Sequence, residues 1–156
     1  MKVFISHKQE DSVVAQDVLN ILKKNKVDAY LDLLDHSIVF KGELLTNHIK
    51  KRLNECTDLL VVLSEQTKTS WWVPFEIGMA SQKDFPIVNY LKAGIVLPDY
   101  LAYWPHLKNE TDLVKYIQIK TKVHKEILLE KSFGQAKFAS AESSTQRFYR
   151  ELKASL

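Results

Sequence analysis

Asp58-Leu-Leu-Val-Val-Leu-Ser64 and Ser70-Trp-Trp-Val-Pro-Phe-Glu-Ile-Gly-Met-Ala80 are the two stretches that decide the fold. The first is a short apolar run, which is typical of a parallel strand buried on both faces. The second predicts the start of a helix with Trp72 and Glu76 on one face, one turn apart. Pro74 is tolerated there, because the first N–H groups of a helix have no intrahelical partner. Together they predict a strand, a connection and a helix that carries an acid.

Apolar runs alternate with amphipathic segments on both sides of this unit. Further strands are predicted at residues 3–6, 27–31 and 86–91. Leu45, Ile49 and Leu53 recur at i, i+4 and i+8, which indicates a helix between the second and third strands. Strands that alternate with helices of this length favour an α/β fold with a parallel sheet and right-handed crossovers.

The pattern is clearest over residues 1–91, and residues 92–156 are predicted to be a C-terminal region of loops and helices. A helix is expected over residues 111–129 and a loop over residues 132–140. Ser143 or Ser144 is expected to cap a last helix that has Phe148 and Leu152 on its inner side. Since there is neither an internal repeat nor a linker-like stretch, we predict one domain over residues 1–156.

Composition narrows the class of protein. The chain has 156 residues, of which 46% are hydrophobic and 26% charged, as in an ordinary globular domain. A net charge of +3 with scattered lysines does not favour nucleic-acid binding. No apolar run approaches the ~20 residues that span a bilayer, and the first residues do not resemble a secretory signal. We therefore expect a cytoplasmic protein that does not bind membranes.

Cysteine and histidine usage argues against a metal site. Cys56 is the only cysteine, which excludes an internal disulfide. The histidines lack the spacing of metal ligands, so no metal is expected. The glycine-rich loops that hold nucleotides in Rossmann and Walker-type sites are also absent from the sequence.

The predicted topology brings several polar side chains to one edge of the sheet. The carboxyl ends of parallel strands share an edge, and open α/β sheets bind ligands there. The candidates follow the first, second and third strands: Ser6, His7, Lys8, Asp32, Lys41, Trp72 and Glu76.

Glu76 is the candidate with the clearest chemistry. The field at a helix N-terminus favours a negative charge by ~0.3–1 kcal/mol, so we expect an ionised carboxylate. Such a group suits the stabilisation of a cationic transition state rather than general acid catalysis. The alternative is an exposed first-turn acid that only stabilises the helix.

The other candidates also have structural alternatives. Trp72 either forms an apolar wall beside Glu76 or packs in the core, as aromatic residues at helical spacing usually do. His7 and Lys8 either contact an anionic ligand or are exposed loop residues. Ser6 is more plausible as a strand-end hydroxyl than as a nucleophile, because no Gly-x-Ser-x-Gly turn surrounds it.

Several of these residues resemble the motifs of a Toll/interleukin-1 receptor (TIR) domain. The matching pieces are Val3-Phe-Ile-Ser-His7 with Glu10-Asp11, Asp28-Ala-Tyr-Leu-Asp32, and the Trp-x-x-x-Glu motif within residues 70–78. The resemblance implies a flavodoxin-like three-layer sandwich, with four to five parallel strands and helices on both faces. It makes Glu76 catalytic and places His7 and Lys8 at a nucleotide site. Gln9 departs from the basic pair found in many NAD-cleaving relatives.

By this resemblance the protein is an NAD⁺ glycohydrolase or ADP-ribosyl cyclase that uses NAD⁺ as substrate and needs no cofactor. The product would be ADP-ribose or a cyclic ADP-ribose-type messenger that activates a separate effector in anti-phage defence. One alternative is a non-catalytic module that assembles with other TIR domains through the loop of residues 32–42. Another is an enzyme like nucleoside deoxyribosyltransferases, which share the sheet architecture and use a glutamate nucleophile.

Overall fold

The computed structural model describes residues 1–31, 42–92, 94–132 and 142–156. The strands in these ranges are β1 (Lys2–Ser6), β2 (Asp28–Leu31), β3 (Asp58–Leu63), β4 (Ile87–Leu91) and β5 (His106–Leu107). The helices are α1 (Ser12–Lys24), α2 (Gly42–Asn54), α3 (Trp72–Gln82), α4 (Asp99–Ala102), α5 (Glu110–Ser132) and α6 (Ser144–Ser155). Short 3₁₀ turns at Gln9–Asp11 and Gln66–Thr69 precede α1 and α3.

The five strands form one parallel sheet in the order β2-β1-β3-β4-β5. Val3 of β1 is paired with Ala29 of β2 on one side and with Asp58 of β3 on the other. The strand order therefore reverses between β1 and β3, which makes this pair the topological switch point of a flavodoxin-like sheet. The predicted α/β fold is confirmed.

The alternation of side chains along β3 explains the three layers. All six residues of β3 are buried. Leu60 and Val62 pack in a core formed with α1, α5 and α6, whereas Leu59 and Val61 pack in a second core formed with α2, α3 and α4. A central strand with a helical layer on each face needs apolar residues at every position, as this sequence has.

The C-terminal region differs from its prediction in detail. The helix predicted at residues 111–129 is longer at both ends, and Asn109 Oδ1 accepts from Asp112 N–H at its start. The predicted cap of α6 is confirmed, since Ser143 and Gln146 form a reciprocal capping box. The sequence does not predict β5, because a strand of two residues is too short to show an alternation of apolar and polar residues.

A buried ion pair closes the amino end of β3. Asp58 is fully buried, and its carboxylate lies 3.0 Å from Lys120 Nζ of α5 and accepts from Thr57 Oγ1 at 2.6 Å. A buried carboxylate is tolerated only when such partners compensate for lost hydration. The pair therefore fixes α5 to the end of the sheet opposite the predicted ligand edge.

No helix within the described ranges has both the length and the apolar character needed to cross a bilayer.

Replacement of Lys120 by Met tests the ion pair, because it leaves Asp58 buried without its cation. The free energy of unfolding should fall by about 2–3 kcal/mol, less than for a fully buried pair, since the lysine side chain is 20% exposed. Urea unfolding measures this loss. Lys122→Met, on the exposed face of α5, is the control and should lose much less stability, because water already screens the ion pairs of this side chain. Equal losses in both variants would contradict the assignment.

Burial raises the pKa of the Cys56 thiol to about 11. The unfolded thiol ionises near pH 8.5, so between these values the folded state retains a proton that the unfolded state has lost. The stability contributed by Cys56 is therefore complete below about pH 8 and lost as the pH rises toward 11. Urea unfolding of wild type and Cys56→Ala should give a stability difference that decreases over this interval. A difference independent of pH would contradict the prediction.

Candidate functional site

Glu76 is buried and hydrogen-bonded to the end of β1. Its side chain is 3% exposed, and Oε2 accepts from the hydroxyl of Ser6, which is fully buried. The alternative of an exposed helix-end acid is therefore wrong. Glu76 is the fifth residue of α3 and lies in its second turn. The N-terminal field expected from the sequence is correspondingly weaker there, because it declines within the first turn.

The helix places this carboxylate on its apolar side. Glu76 shares the buried side of α3 with three apolar residues that pack against the sheet: Val73, Ile77 and Ala80. A buried acid costs free energy unless it is hydrogen-bonded, and the Ser6 hydroxyl supplies such a bond. A buried titratable group at the carboxyl edge of a sheet is a candidate functional residue.

The sheet topology brings Ser6 to Glu76. Ser6 is the last residue of β1, paired with Val61 of β3, and α3 returns over this part of the sheet. The contact joins residues 70 positions apart in the chain. The expectation that Ser6 and Glu76 share one edge is met, and the serine hydroxyl is directed at the acid.

Three exposed aromatic side chains lie at the first turn of α3. Trp71 is 88% exposed, Trp72 40% and Phe75 37%. The rings of Trp72 and Phe75 meet edge to face, with centroids 6.1 Å apart. Core packing of Trp72 is therefore wrong, and its ring is accessible to a ligand one helical turn before Glu76.

His7 and Lys8 follow Ser6 directly. His7 is 9% exposed, and its Nε2 lies 3.3 Å from Ser12 Oγ, so it is not an exposed loop residue. Lys8 Nζ lies 3.1 Å from Glu10 Oε1, and the lysine side chain is 22% exposed. Much of the lysine charge is thus compensated within its own turn.

Two predicted site residues, Asp32 and Lys41, lie outside the described residues, as does most of the loop of residues 32–42. The roles assigned to them, in substrate binding and in self-association, remain predictions.

Asp11 is a polar residue of this edge that the sequence did not single out for the site. It directly precedes α1, but its side chain makes no cap bond to that helix and is 1% exposed. Its Oδ2 accepts from Ser64 Oγ at 2.6 Å and from Thr67 Oγ1 at 3.0 Å. Nothing in the local sequence distinguishes this acid from an ordinary cap, because both partners are more than 50 positions away.

Two cavities lie beside these residues. An apolar cavity of about 180 Å³ is bounded by Val73, Pro74 and Ile77 of α3 and by Tyr100 of α4. An open cleft of about 430 Å³ lies over Asp11, Ser64 and Lys92. Both are lined in part by Ser64, which directly follows β3, so both lie at the carboxyl edge of the sheet.

A metal centre has no support in the described part of the chain, where no three His, Cys, Asp or Glu side chains are grouped to hold an ion.

Comparison with known proteins identifies relatives. A family model described as TIR domain matches residues 3–125. A Cytobacillus dafuensis protein named "Putative cyclic ADP-D-ribose synthase TIR2" is 30% identical over 84 residues, which are 51% of this chain. The match covers 22% of that curated relative, so the chain spans only a minor part of its length.

Solved structures give likenesses at low identity. The 2-deoxyribosyltransferase of Bacillus psychrosaccharolyticus superposes with a TM-score of 0.60 at 10% identity, over 72% of this chain and 90% of that one. The TIR domains of the activated Roq1 resistosome, which recognises the pathogen effector XopQ, superpose with a TM-score of 0.48 at 14% identity. This match covers 98% of this chain and 81% of the other chain. At 10% identity the first likeness shows the fold alone.

Variants at position 76 should separate the hydrogen bond from the charge. Glu76→Gln keeps an oxygen that accepts from Ser6, so its unfolding free energy should lie within about 1 kcal/mol of wild type. Glu76→Ala leaves the buried Ser6 hydroxyl without this acceptor and should cost about 1–3 kcal/mol more. Urea unfolding measures both, and equal stability of the two variants would contradict the contact.

Proposed function

This chain belongs to the TIR domain family, and we propose that it cleaves the bond between nicotinamide and ribose in NAD⁺, with Glu76 as the catalytic carboxylate. One observation carries the proposal: an acid 3% exposed, bonded to the Ser6 hydroxyl beside the β1–β3 switch point. Open α/β sheets hold ligands at this position. The name of the C. dafuensis relative supports ADP-ribosyl chemistry within the family.

The leaving group explains why one carboxylate suffices. Nicotinamide in NAD⁺ is a pyridinium, so when the C1′–N bond breaks, its electron pair returns to the ring and the departing molecule is neutral. Ordinary glycosidases need a second carboxyl group to protonate the leaving oxygen. In this reaction the protein has only to stabilise positive charge that develops on the ribose.

Glu76 is well suited to that role. A carboxylate within a few ångströms of the ribose would stabilise an oxocarbenium-like transition state and accept hydrogen bonds from the ribose hydroxyls. Burial strengthens the interaction, because little water remains to screen it. The Ser6 hydroxyl donates to one oxygen and thereby orients the carboxylate before substrate arrives.

The neighbouring residues have complementary proposed roles. The exposed face of Trp72 provides an apolar surface for a flat ring near the acid. His7 and Lys8 lie on the turn after β1, where their N–H donors suit the pyrophosphate of the substrate. Asp32 and Lys41 are proposed to complete the binding site from the loop after β2.

The product depends on which nucleophile reaches C1′. Attack by water, which then loses a proton, gives ADP-ribose. Attack by a nucleophile of the same ADP-ribosyl unit gives a cyclic product instead. We propose that the product is a messenger that activates a separate effector in anti-phage defence.

Incubation of the purified protein with NAD⁺ tests the activity. Chromatography should show nicotinamide release by wild type, and mass spectrometry of the second product should show ADP-ribose or a cyclic isomer. Glu76→Gln should lower kcat by at least about 10³-fold while the protein remains folded, because the amide cannot balance the developing positive charge. Glu43→Gln, an exposed acid in the first turn of α2, is the matched control and should retain activity.

Other outcomes would overturn parts of the proposal. Full activity in Glu76→Gln would exclude Glu76 from the mechanism. Base exchange between deoxynucleosides without NAD⁺ cleavage would identify a deoxyribosyltransferase. A folded wild-type protein that releases no nicotinamide, both dilute and under crowding that promotes assembly, would favour a non-catalytic TIR module.

A further inference from the structure

Asp11 joins the two chain segments that carry Ser6 and Glu76. It lies in the turn between β1 and α1, five residues after Ser6. Its Oδ2 accepts from Ser64 and Thr67, which lie in the connection between β3 and α3. The same two segments meet again where Ser6 donates to Glu76. The space between them is therefore bridged at two separate places.

Hydrogen bonds continue from Thr67 to the helix that carries Glu76. Thr67 Oγ1 accepts from Ser64 N–H at 2.9 Å, and Thr67 C=O accepts from Ser70 N–H at 2.9 Å. Ser70 Oγ in turn accepts from Val73 N–H in the first turn of α3, at 3.3 Å. Glu76 follows Val73 by three residues on the same helix, so a continuous chain of bonds leads from Asp11 to the start of α3.

Burial makes this connection rigid and costly to replace. Asp11 is 1% exposed, and Ser64 and Thr67 are each 5% exposed. A buried carboxylate with hydroxyl donors holds its partners at defined distances, since each donor that lost it would be left unsatisfied. Ser64 Oγ also accepts from Gln66 N–H, and this bond orients the hydroxyl group that donates to Asp11.

We propose that Asp11 is a positioning residue, which sets the location of the Glu76 carboxylate relative to Ser6 and His7. It acts through Thr67 and Ser70 and need not touch the substrate. The kinetic part of this inference rests on the proposed NAD⁺ cleavage, whereas the structural part does not. The hydrogen bonds from Ser64 and Thr67 to Asp11 are called the tether below. A displacement of about 1 Å at a catalytic group can cost up to about 10²-fold in rate, so loss of the tether should reduce kcat.

Three variants separate geometry from stability. Asp11→Ala removes the acceptor of both hydroxyls. Asp11→Asn is the conservative variant, because an amide oxygen in the place of Oδ2 can accept both bonds. Asp58→Asn is the matched control, since it alters a buried carboxylate that also accepts a hydroxyl but lies at the opposite end of β3.

Kinetics with NAD⁺ provide the first measurement, made at a temperature where circular dichroism shows every variant folded. Asp11→Ala should lose about tenfold or more in kcat with KM changed less than about threefold, because the tether orients the acid rather than binding substrate. Asp11→Asn should stay within about threefold of wild type in kcat. Asp58→Asn should lose stability but keep kcat. Unchanged kcat in Asp11→Ala, or equal losses in Asp11→Asn, would overturn the inference.

Hydrogen–deuterium exchange provides a second measurement that needs no activity. Asp11→Ala should increase exchange in peptides covering residues 64–76, whereas Asp58→Asn should leave them as in wild type. If Asp11→Ala does not fold, Thr67→Val removes the hydroxyl that donates to Asp11 and accepts from Ser64 N–H, and it should show the same local increase. Unchanged exchange in this segment would refute the tether. Wild type without NAD⁺ cleavage but with the expected exchange would refute the proposed function and leave the tether established.

Discussion

The hydrogen bond from Ser6 to Glu76 is the contact on which the organisation of this edge depends. It requires β1 and β3 to be neighbours, and it requires α3 to turn its apolar side, together with one acid, toward the end of β1. An acid in such surroundings would destabilise the fold if it were not hydrogen-bonded. The serine hydroxyl therefore both permits burial of Glu76 and defines its orientation.

The two ends of the sheet use buried carboxylates in different ways. At the amino end of β3, Asp58 is paired with Lys120 of α5, and the arrangement fastens a helix to the sheet. At the carboxyl end, Asp11 accepts from hydroxyls of the following connection and thereby sets where α3 begins. The first arrangement accounts for stability, whereas the second is suited to holding a functional group in place.

Sequence reasoning predicted the parallel sheet, its main helices and the edge at which Ser6 and Glu76 meet, because apolar periodicity indicates which segments are buried. It also identified Glu76 and Trp72 as one unit. It left their environments open, and the structure excludes one alternative for each residue: Glu76 is buried rather than exposed at a helix end, and Trp72 is accessible rather than part of the core. Periodicity assigns a side of a helix, but it does not show how closely neighbouring segments cover that side.

The sequence by itself determined the order of strands and helices and the Trp-x-x-x-Glu spacing, since these depend on residues close together in the chain. Only the tertiary structure decided which polar groups meet. Ser6 and Glu76 are 70 positions apart, and Asp11 and Thr67 are 56 apart. Such contacts arise from the reversal of strand order between β1 and β3, which brings distant connections to one edge, and no local pattern encodes the pairing of their side chains.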